Sequence, residues 1–363
     1  MMLIGLSVIL ACFLILAGAL LACGPGKPAP FRDANGRPLA GSLSEKIRVD
    51  INGARQGMFI KSRNRANPVL LFLHGGPGMP EYFLTQRYPT GLEEDFTVCW
   101  WEQRGSGLSY SPAIPPATMT AEQLITDTLA VTDYLRRRFG TEKIYLMAHS
   151  GGSFLGIQAA ARAPQLYHAY IGMAQMSYQL KSEVLAHQYM LQQFKTKGNL
   201  KMARKLAAAP PTLTAPLPAS YAALRDEAMH TLGIGTTRDM KSVIRGVFLP
   251  SWLFPEYTLG EKINLWRGKM FSLRCLRDRM FAADLTRQVT ELDLPVYFLH
   301  GRYDYTVSYP EAKSYFEKLE APLKGFYTFT QSAHSPMFEE PGKVRQILRE
   351  DVLAATNRLA DIN

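Results

Sequence analysis

The stretch "IYLMAHSGGSFLGIQ", residues 144–158, decides how the chain folds. A β-branched and apolar run leads in, a helix-like run leads out, and two serines stand between them. A sharp strand-to-helix turn exposes one side chain at its apex, provided that the residues two before and two after it are small. Ser150 has Ala148 before it and Gly152 after it. Ser153 has Gly151 before it but Leu155 after it, and would lie one turn into the helix. Ser150 is therefore the candidate nucleophile. Ala148 replaces the first glycine of the G-x-S-x-G pattern, at the cost of one methyl group. Gly151, Gly152 and Gly156 allow the helix to pack closely on a sheet.

Outward from this turn, strand and helix patterns alternate. "PVLLFLHGGPG" (68–78) and "FTVCWWEQRGSG" (96–107) are continuous apolar runs ending in glycine, as strands buried on both faces should be. Asn52-Gly53 between two alternating runs predicts a hairpin. Thr120 to Phe139 predicts an amphipathic helix, with Thr120 and Gln123 set for a capping box and Gly140 as the stop. Ser150–Ala163 and Lys343–Leu353 predict two more helices. "AYIGM" (169–173), "PVYFLHGRYD" (295–304) and "GFYTFT" (325–330) predict later strands. This order argues for an α/β fold with a mainly parallel sheet and helices on both faces. Between 176 and 290 the strand signals vanish, and helical runs alternate with Pro-rich turns such as "AAAPPTLTAPLP" (207–218). The expected division is an N-terminal segment 1–23, a Gly/Pro-rich linker 24–44, a core of 45–175 and 291–363, and a helical cap 176–290. An insertion at that point belongs over the carboxyl ends of the strands, where open α/β sheets bind ligands.

The chain has 363 residues, 47% of them hydrophobic, and a net charge of +10. That length buries a core without disulfides. No Lys/Arg block is long enough for a nucleic-acid arm; Arg136, Arg137 and Arg138 end a helix, where cations suit its dipole. The four cysteines have no metal-type spacing, so neither a metal site nor a disulfide framework is expected. Residues 1–22 carry no charged side chain and are long enough to cross a bilayer. They predict a membrane partner and an envelope location, through either a single uncleaved span or a lipoprotein signal. For the second, Leu20-Leu21-Ala22-Cys23 resembles a lipobox, with Cys23 as the lipidated residue. No basic residue precedes the run, whereas Lys27, Arg32 and Arg37 follow it, which by the positive-inside tendency holds the next domain on the cytoplasmic side.

"HGGPG" (74–78), "WEQRGSGLS" (101–109), "AHSGG" (148–152), "GRYD" (301–304) and "SAH" (332–334) occur in that order. Together they resemble the proline iminopeptidase-like branch of the α/β-hydrolase fold family, the prolyl aminopeptidase group of serine peptidases, over roughly residues 45–355. The resemblance implies a triad running Ser, acid, His along the chain. Asp304 stands just past the carboxyl end of a strand, whereas Asp293 precedes that strand. His334 is the only histidine after Asp304. Ser150 is thus expected as nucleophile, His334 as general base and then acid, and Asp304 as the carboxylate orienting the imidazole. The oxyanion hole is expected from the N–H groups of Gly151 and Gly76, with Gly75 as the alternative to Gly76. At 151 the family often has tryptophan, whose loss removes an aromatic wall but keeps the N–H.

His74 and His149 flank the site and read as supporting rather than catalytic; His168, His187, His230 and His300 read as ordinary surface or packed residues. Glu102 and Arg104 are expected to fix a loop. An aminopeptidase needs a carboxylate for the substrate ammonium, and Glu183, Glu227 and Glu256 in the cap are the candidates. "FLPSWLFPEY" (248–257), with Trp252, is aromatic enough to line an apolar pocket. No cofactor is implied. Three functions follow: an aminopeptidase on short peptides, a carboxylesterase or lipase acting on small or membrane-derived esters, and a non-catalytic binding protein on the same fold.

Overall fold

The computed structural model describes residue 18 and residues 24–361. Strands β1 (Leu43–Ile51) and β2 (Ala54–Ser62) form the hairpin expected from Asn52-Gly53, both of which adopt positive φ (47° and 75°) as a two-residue turn of matching twist requires. β3 (Val69–Leu73), β4 (Thr97–Glu102), β5 (Ile144–His149), β6 (Tyr167–Met173), β7 (Val296–Gly301) and β8 (Lys324–Phe329) complete one sheet in the order β1-β2-β4-β3-β5-β6-β7-β8. β2 is antiparallel to β1 and β4, and every other neighbouring pair is parallel.

The strands are apolar on both sides because both faces are covered. In β3, Leu71 and Leu73 enter one core cluster while Leu70 and Phe72 enter the other. The first cluster is filled by α1 (Ala121–Phe139), α2 (Gly151–Arg162) and, after β7, a helix at Tyr309–Lys318; the second by the chain around Phe83 and Leu92 and by the C-terminal helix. Thr120 caps α1 by accepting from Gln123 N at 3.1 Å, and Gly140 ends it in the left-handed region. The reciprocal arm of the capping box is not made, since the Gln123 amide donates to Asp127 instead.

Between β6 and β7 the chain is helical, as its sequence indicates: α3 (Gln179–Thr196), α4 (Leu200–Ala207), α5 (Ala219–Leu232), α6 (Leu249–Leu253), α7 (Leu259–Ala282) and the short α8 (Leu285–Gln288). The helices α3–α5 share a core of their own, which includes Leu180, Met190, Leu206, Tyr221 and Met229. α7 packs instead into both sheet clusters, through Leu265 on one side and Phe271, Leu276 and Met280 on the other. The helix at Tyr309–Lys318 is α9; α10 (Pro336–Glu339) and α11 (Pro341–Ile347) close the fold. The last predicted helix differs from expectation: after Ile347 it loosens into a π turn, Leu348–Val352.

The Gly/Pro-rich segment before β1 is tied down. Gly26 N donates to Pro255 O at 3.0 Å and Ala29 N to Glu256 Oε1 at 2.8 Å. Lys46 and Arg48 of β1 both pair with Glu261 of α7, at 2.8 and 2.7 Å. The α6–α7 side of the cap is therefore bound to the β1–β2 hairpin.

The membrane expectation is corrected. No helix among the described residues is long and apolar enough to cross a membrane. Residues 1–22, except Gly18, and Cys23 lie outside the described residues, so nothing in the fold supports an anchor or a lipidated cysteine.

At the end of β7, a Cβ on Gly301 would collide with the carbonyl oxygen of Ala333, next to His334. Gly301→Ala is expected to lower stability by about 1–3 kcal/mol through this overpacking. Gly260→Ala in α7, where a Cβ meets nothing within 4 Å, should be neutral or stabilise by up to about 1 kcal/mol. Denaturant unfolding of the two variants measures the difference.

Candidate active site

Ser150 sits between the last residue of β5 and the first of α2, with φ 52° and ψ −123°. This is the strained elbow its small neighbours predict. Its N–H donates to Met173 O at 3.0 Å, and its carbonyl accepts from Ser153 N and Ser153 Oγ. Added Cβ atoms show why glycine follows. One on Gly151 would lie 2.7 Å from Gly76 O, and one on Gly152 would collide with Leu73 O. A Cβ on Gly156 would approach the methyl of Ala148 to 2.8 Å, so the glycine at 156 makes room for the alanine that departs from the usual pattern.

Asp304 and His334 are brought together from two different strand ends. His334 Nδ1 lies 2.9 Å from Asp304 Oδ2. The other oxygen, Oδ1, accepts from Thr306 N and Val307 N, both at 2.9 Å. Burial alone would raise the Asp304 pKa, but His334 and His300 hold it well below the carboxylate range. His334 is displaced the other way. Burial lowers its pKa and Asp304 only partly opposes that, which leaves its ring neutral to lower pH than a free imidazole. The loop carrying His334 is braced by Glu339, which accepts from Ala333 N at 2.9 Å and Arg238 N at 2.7 Å. His149 Nε2 adds a contact of 2.8 Å to the His334 carbonyl.

Ser150 and His334 line one cavity of about 360 Å³ beneath the cap. No hydrogen bond joins their side chains among the described residues. The nearby N–H groups divide cleanly. Gly75 N donates to Glu81 Oε1 at 3.2 Å. Gly76 N and Gly151 N have no acceptor among the described residues, and Gly76 lines the cavity.

The cap carboxylates are placed otherwise than expected. Glu183 is fully buried between Tyr221 OH at 2.9 Å and Arg225 Nε at 2.7 Å, inside the cap. Glu256 faces the hairpin, accepting from Ala29 N and from Tyr82 OH at 2.7 Å, with Lys61 at 3.6 Å. Glu227 is exposed, and Trp252 lies tilted at 55° beside Phe248, outside the cavity. None of the four borders the cavity; they satisfy internal charges or meet solvent. The carboxylates that do border it are Glu81 and Asp226. Glu81 carried no sequence signal, because its partner His149 is distant in the chain. Of the histidines read as ordinary, His230 lines the cavity and His300 Nε2 lies 3.3 Å from Asp304. Glu102 and Arg104 do fix a loop: Glu102 accepts from Leu108 N and Tyr257 OH, and Arg104 Nε pairs with Asp127 at 2.6 Å.

Because Glu183 is the buried partner of Arg225, Glu183→Ala leaves that guanidinium only the exposed Asp226, at 3.0 Å. A loss of about 3–5 kcal/mol is expected in denaturant unfolding. Glu227→Ala should stay within about 0.5 kcal/mol.

Residues 68–341 match the family described as the alpha/beta hydrolase fold. A probable aminopeptidase of Bacillus subtilis, YbaC, is 32% identical over 306 residues, which are 84% of this chain and 95% of that protein. A proline iminopeptidase of Heyndrickxia coagulans is 25% identical over 81% of this chain and 93% of its own. Among solved structures, a proline iminopeptidase-related protein of Thermus thermophilus superposes with a TM-score of 0.59 at 23% identity, over 86% of this chain and 98% of that one. The elbow, the sheet order and these similarities lead to one conclusion: the chain belongs to the α/β-hydrolase fold family.

Proposed function

We propose that the protein is a serine hydrolase that releases the N-terminal residue of short peptides through an acyl-enzyme. The observation that carries this is that Ser150, in its strained elbow, and His334, paired with Asp304, line one cavity. Ser150 Oγ attacks the scissile carbonyl while His334 Nε2 takes its proton, and Asp304 holds the imidazole tautomer and balances the imidazolium. Gly76 N and Gly151 N, both without an internal acceptor, receive the oxyanion. His334 then gives its proton to the leaving amine, and water repeats the sequence to free the acid. The peptidase reading draws support from the aminopeptidase and iminopeptidase names of the relatives. The substrate ammonium would find Asp226 on the cap wall of the cavity, where it would share the carboxylate with Arg225 Nη1 at 3.0 Å.

One observation favours an esterase as second reading. The wall is largely apolar, with Leu84, Met176, Leu217, Val247 and Phe281, and the three cap carboxylates first expected there are absent from it. An acyl chain suits such a wall as well as a prolyl ring does.

Proline p-nitroanilide and short-chain p-nitrophenyl esters, assayed side by side, separate the two. Ser150→Ala is expected to reduce kcat by on the order of 10⁶-fold on whichever is turned over; retained turnover would remove Ser150 from the mechanism. Asp226→Asn should raise KM for the anilide and leave the ester unchanged. The kcat/KM profile should rise with pH to a plateau reached below the ordinary imidazole range, because the base must be neutral and burial lowers the His334 pKa.

A further inference from the structure

His149 and Glu81 border the same cavity beside the reacting groups and take no part in the acyl transfer set out above. His149 Nε2 is 2.8 Å from the carbonyl oxygen of His334, and His149 Nδ1 is 2.7 Å from Glu81 Oε1. A carbonyl oxygen only accepts, so Nε2 carries a proton. The contact at Nδ1 then needs a second proton, on the ring or on the carboxyl. Gly75 N donates to the same Oε1, which favours the carboxylate form. Burial works against a charged ring, yet Glu81 outweighs it and keeps the His149 pKa above the imidazole norm. The geometry thus describes an imidazolium and a carboxylate, 2% and 9% exposed.

The pair touches three parts of the site at once. His149 adjoins Ser150 in the chain and holds the backbone of the base, and Glu81 holds the loop of Gly75 and Gly76. The rings of His149 and His334 lie 4.8 Å apart, centre to centre, at 42°. A fixed positive charge therefore faces the ring that must accept a proton.

We propose that Glu81 and His149 form a positioning ion pair, which sets its positive charge against His334 and fastens the base loop to the oxyanion loop. The inference rests on the serine-hydrolase reading. Other charged groups surround the base: Asp304 and His300 behind it, Glu339 under its loop, and His230, Arg225, Asp226, Lys269 and Arg277 across the cavity. Burial raises the pKa of Glu339 to about 7, so it titrates in the same range. Changing Glu81 leaves Glu339 in place, so a difference between two profiles isolates the pair.

The test is the rate at which an alkyl fluorophosphonate labels Ser150, from about pH 5 to pH 10. The Ser150 Oγ–P bond forms, the P–F bond breaks, fluoride leaves and His334 takes the serine proton, so no knowledge of the substrate is needed. In the wild type the rate should rise as His334 loses its proton and fall at alkaline pH as His149 does. Glu81→Gln can still accept from Gly75 N and donate to Nδ1 of a neutral His149. Its acid limb should move to higher pH, since the charge facing His334 is gone, and its alkaline fall should disappear. Glu81→Asp, which restores the charge, should recover both limbs. A Glu81→Gln profile that overlays the wild type would overturn the proposal. So would ring-nitrogen NMR signals of a neutral His149 in the wild type at pH 7, a measurement that needs no variant. Undiminished labelling of Ser150→Ala would instead overturn the hydrolase reading on which it rests.

Discussion

Ser150 holds a backbone conformation that costs an L-residue about 1–3 kcal/mol and persists only where its surroundings over-determine it. Those surroundings are specific: Met173 O receives its N–H, Ser153 grips its carbonyl from two atoms, and the glycines at 151 and 152 let α2 press against the loop of residues 73–76. The same closeness brings Gly76 N and Gly151 N to one side of the serine. The elbow thus fixes the candidate nucleophile and the two candidate oxyanion donors in a single arrangement, and the sheet has only to deliver His334 and Asp304 to its edge. It does so because β7 and β8 both run parallel to β5, so all three strands release their following loops at the same end.

The charged groups around that edge come in closed sets. Arg104 meets Asp127, Arg225 meets Glu183, His149 meets Glu81, and Asp304 accepts from His334, His300 and two backbone amides. A buried charge without a partner is costly, which accounts for this pairing next to the candidate site, while Asp226, Lys269 and Arg277 face the cavity from the cap. Discrimination then falls to shape and to a few groups on the cap wall, and it is there that peptide and ester chemistry part.

Most of the frame was legible in the sequence because it follows local rules. Asn52-Gly53 dictates a turn, Thr120 and Gly140 bracket a helix, and the run into Ser150 dictates a strand and then an elbow. The three candidate site residues were picked out for the same reason: each lies beyond the end of a strand. The cap was not. Glu183, Glu227 and Glu256 are indistinguishable as letters, and only the meeting of α3 with α5 turns Glu183 toward Arg225, while the hairpin claims Glu256. Glu81 was missed on the same ground, since its significance depends on a histidine far along the chain. The C-terminal helix was read one turn type too simply, because a π turn preserves an apolar face that periodicity alone assigns to an α-helix. The apolar N-terminal run illustrates the opposite hazard: hydropathy suggested a membrane anchor, and no helix among the described residues is long and apolar enough to be one.

The ties between the hairpin and α6–α7 carry a kinetic consequence. With Glu256 and Glu261 bound to Lys61, Lys46 and Arg48, and residues 26–29 laced across them, that flank of the lid is stapled to the sheet. The flank built from α3–α5 keeps a separate apolar interior and is free of those staples. It is held by a different set, Lys181 to Glu311 at 2.9 Å and Gln179 and Arg225 to Thr306 O, so opening either side for substrate means breaking a set of polar bonds.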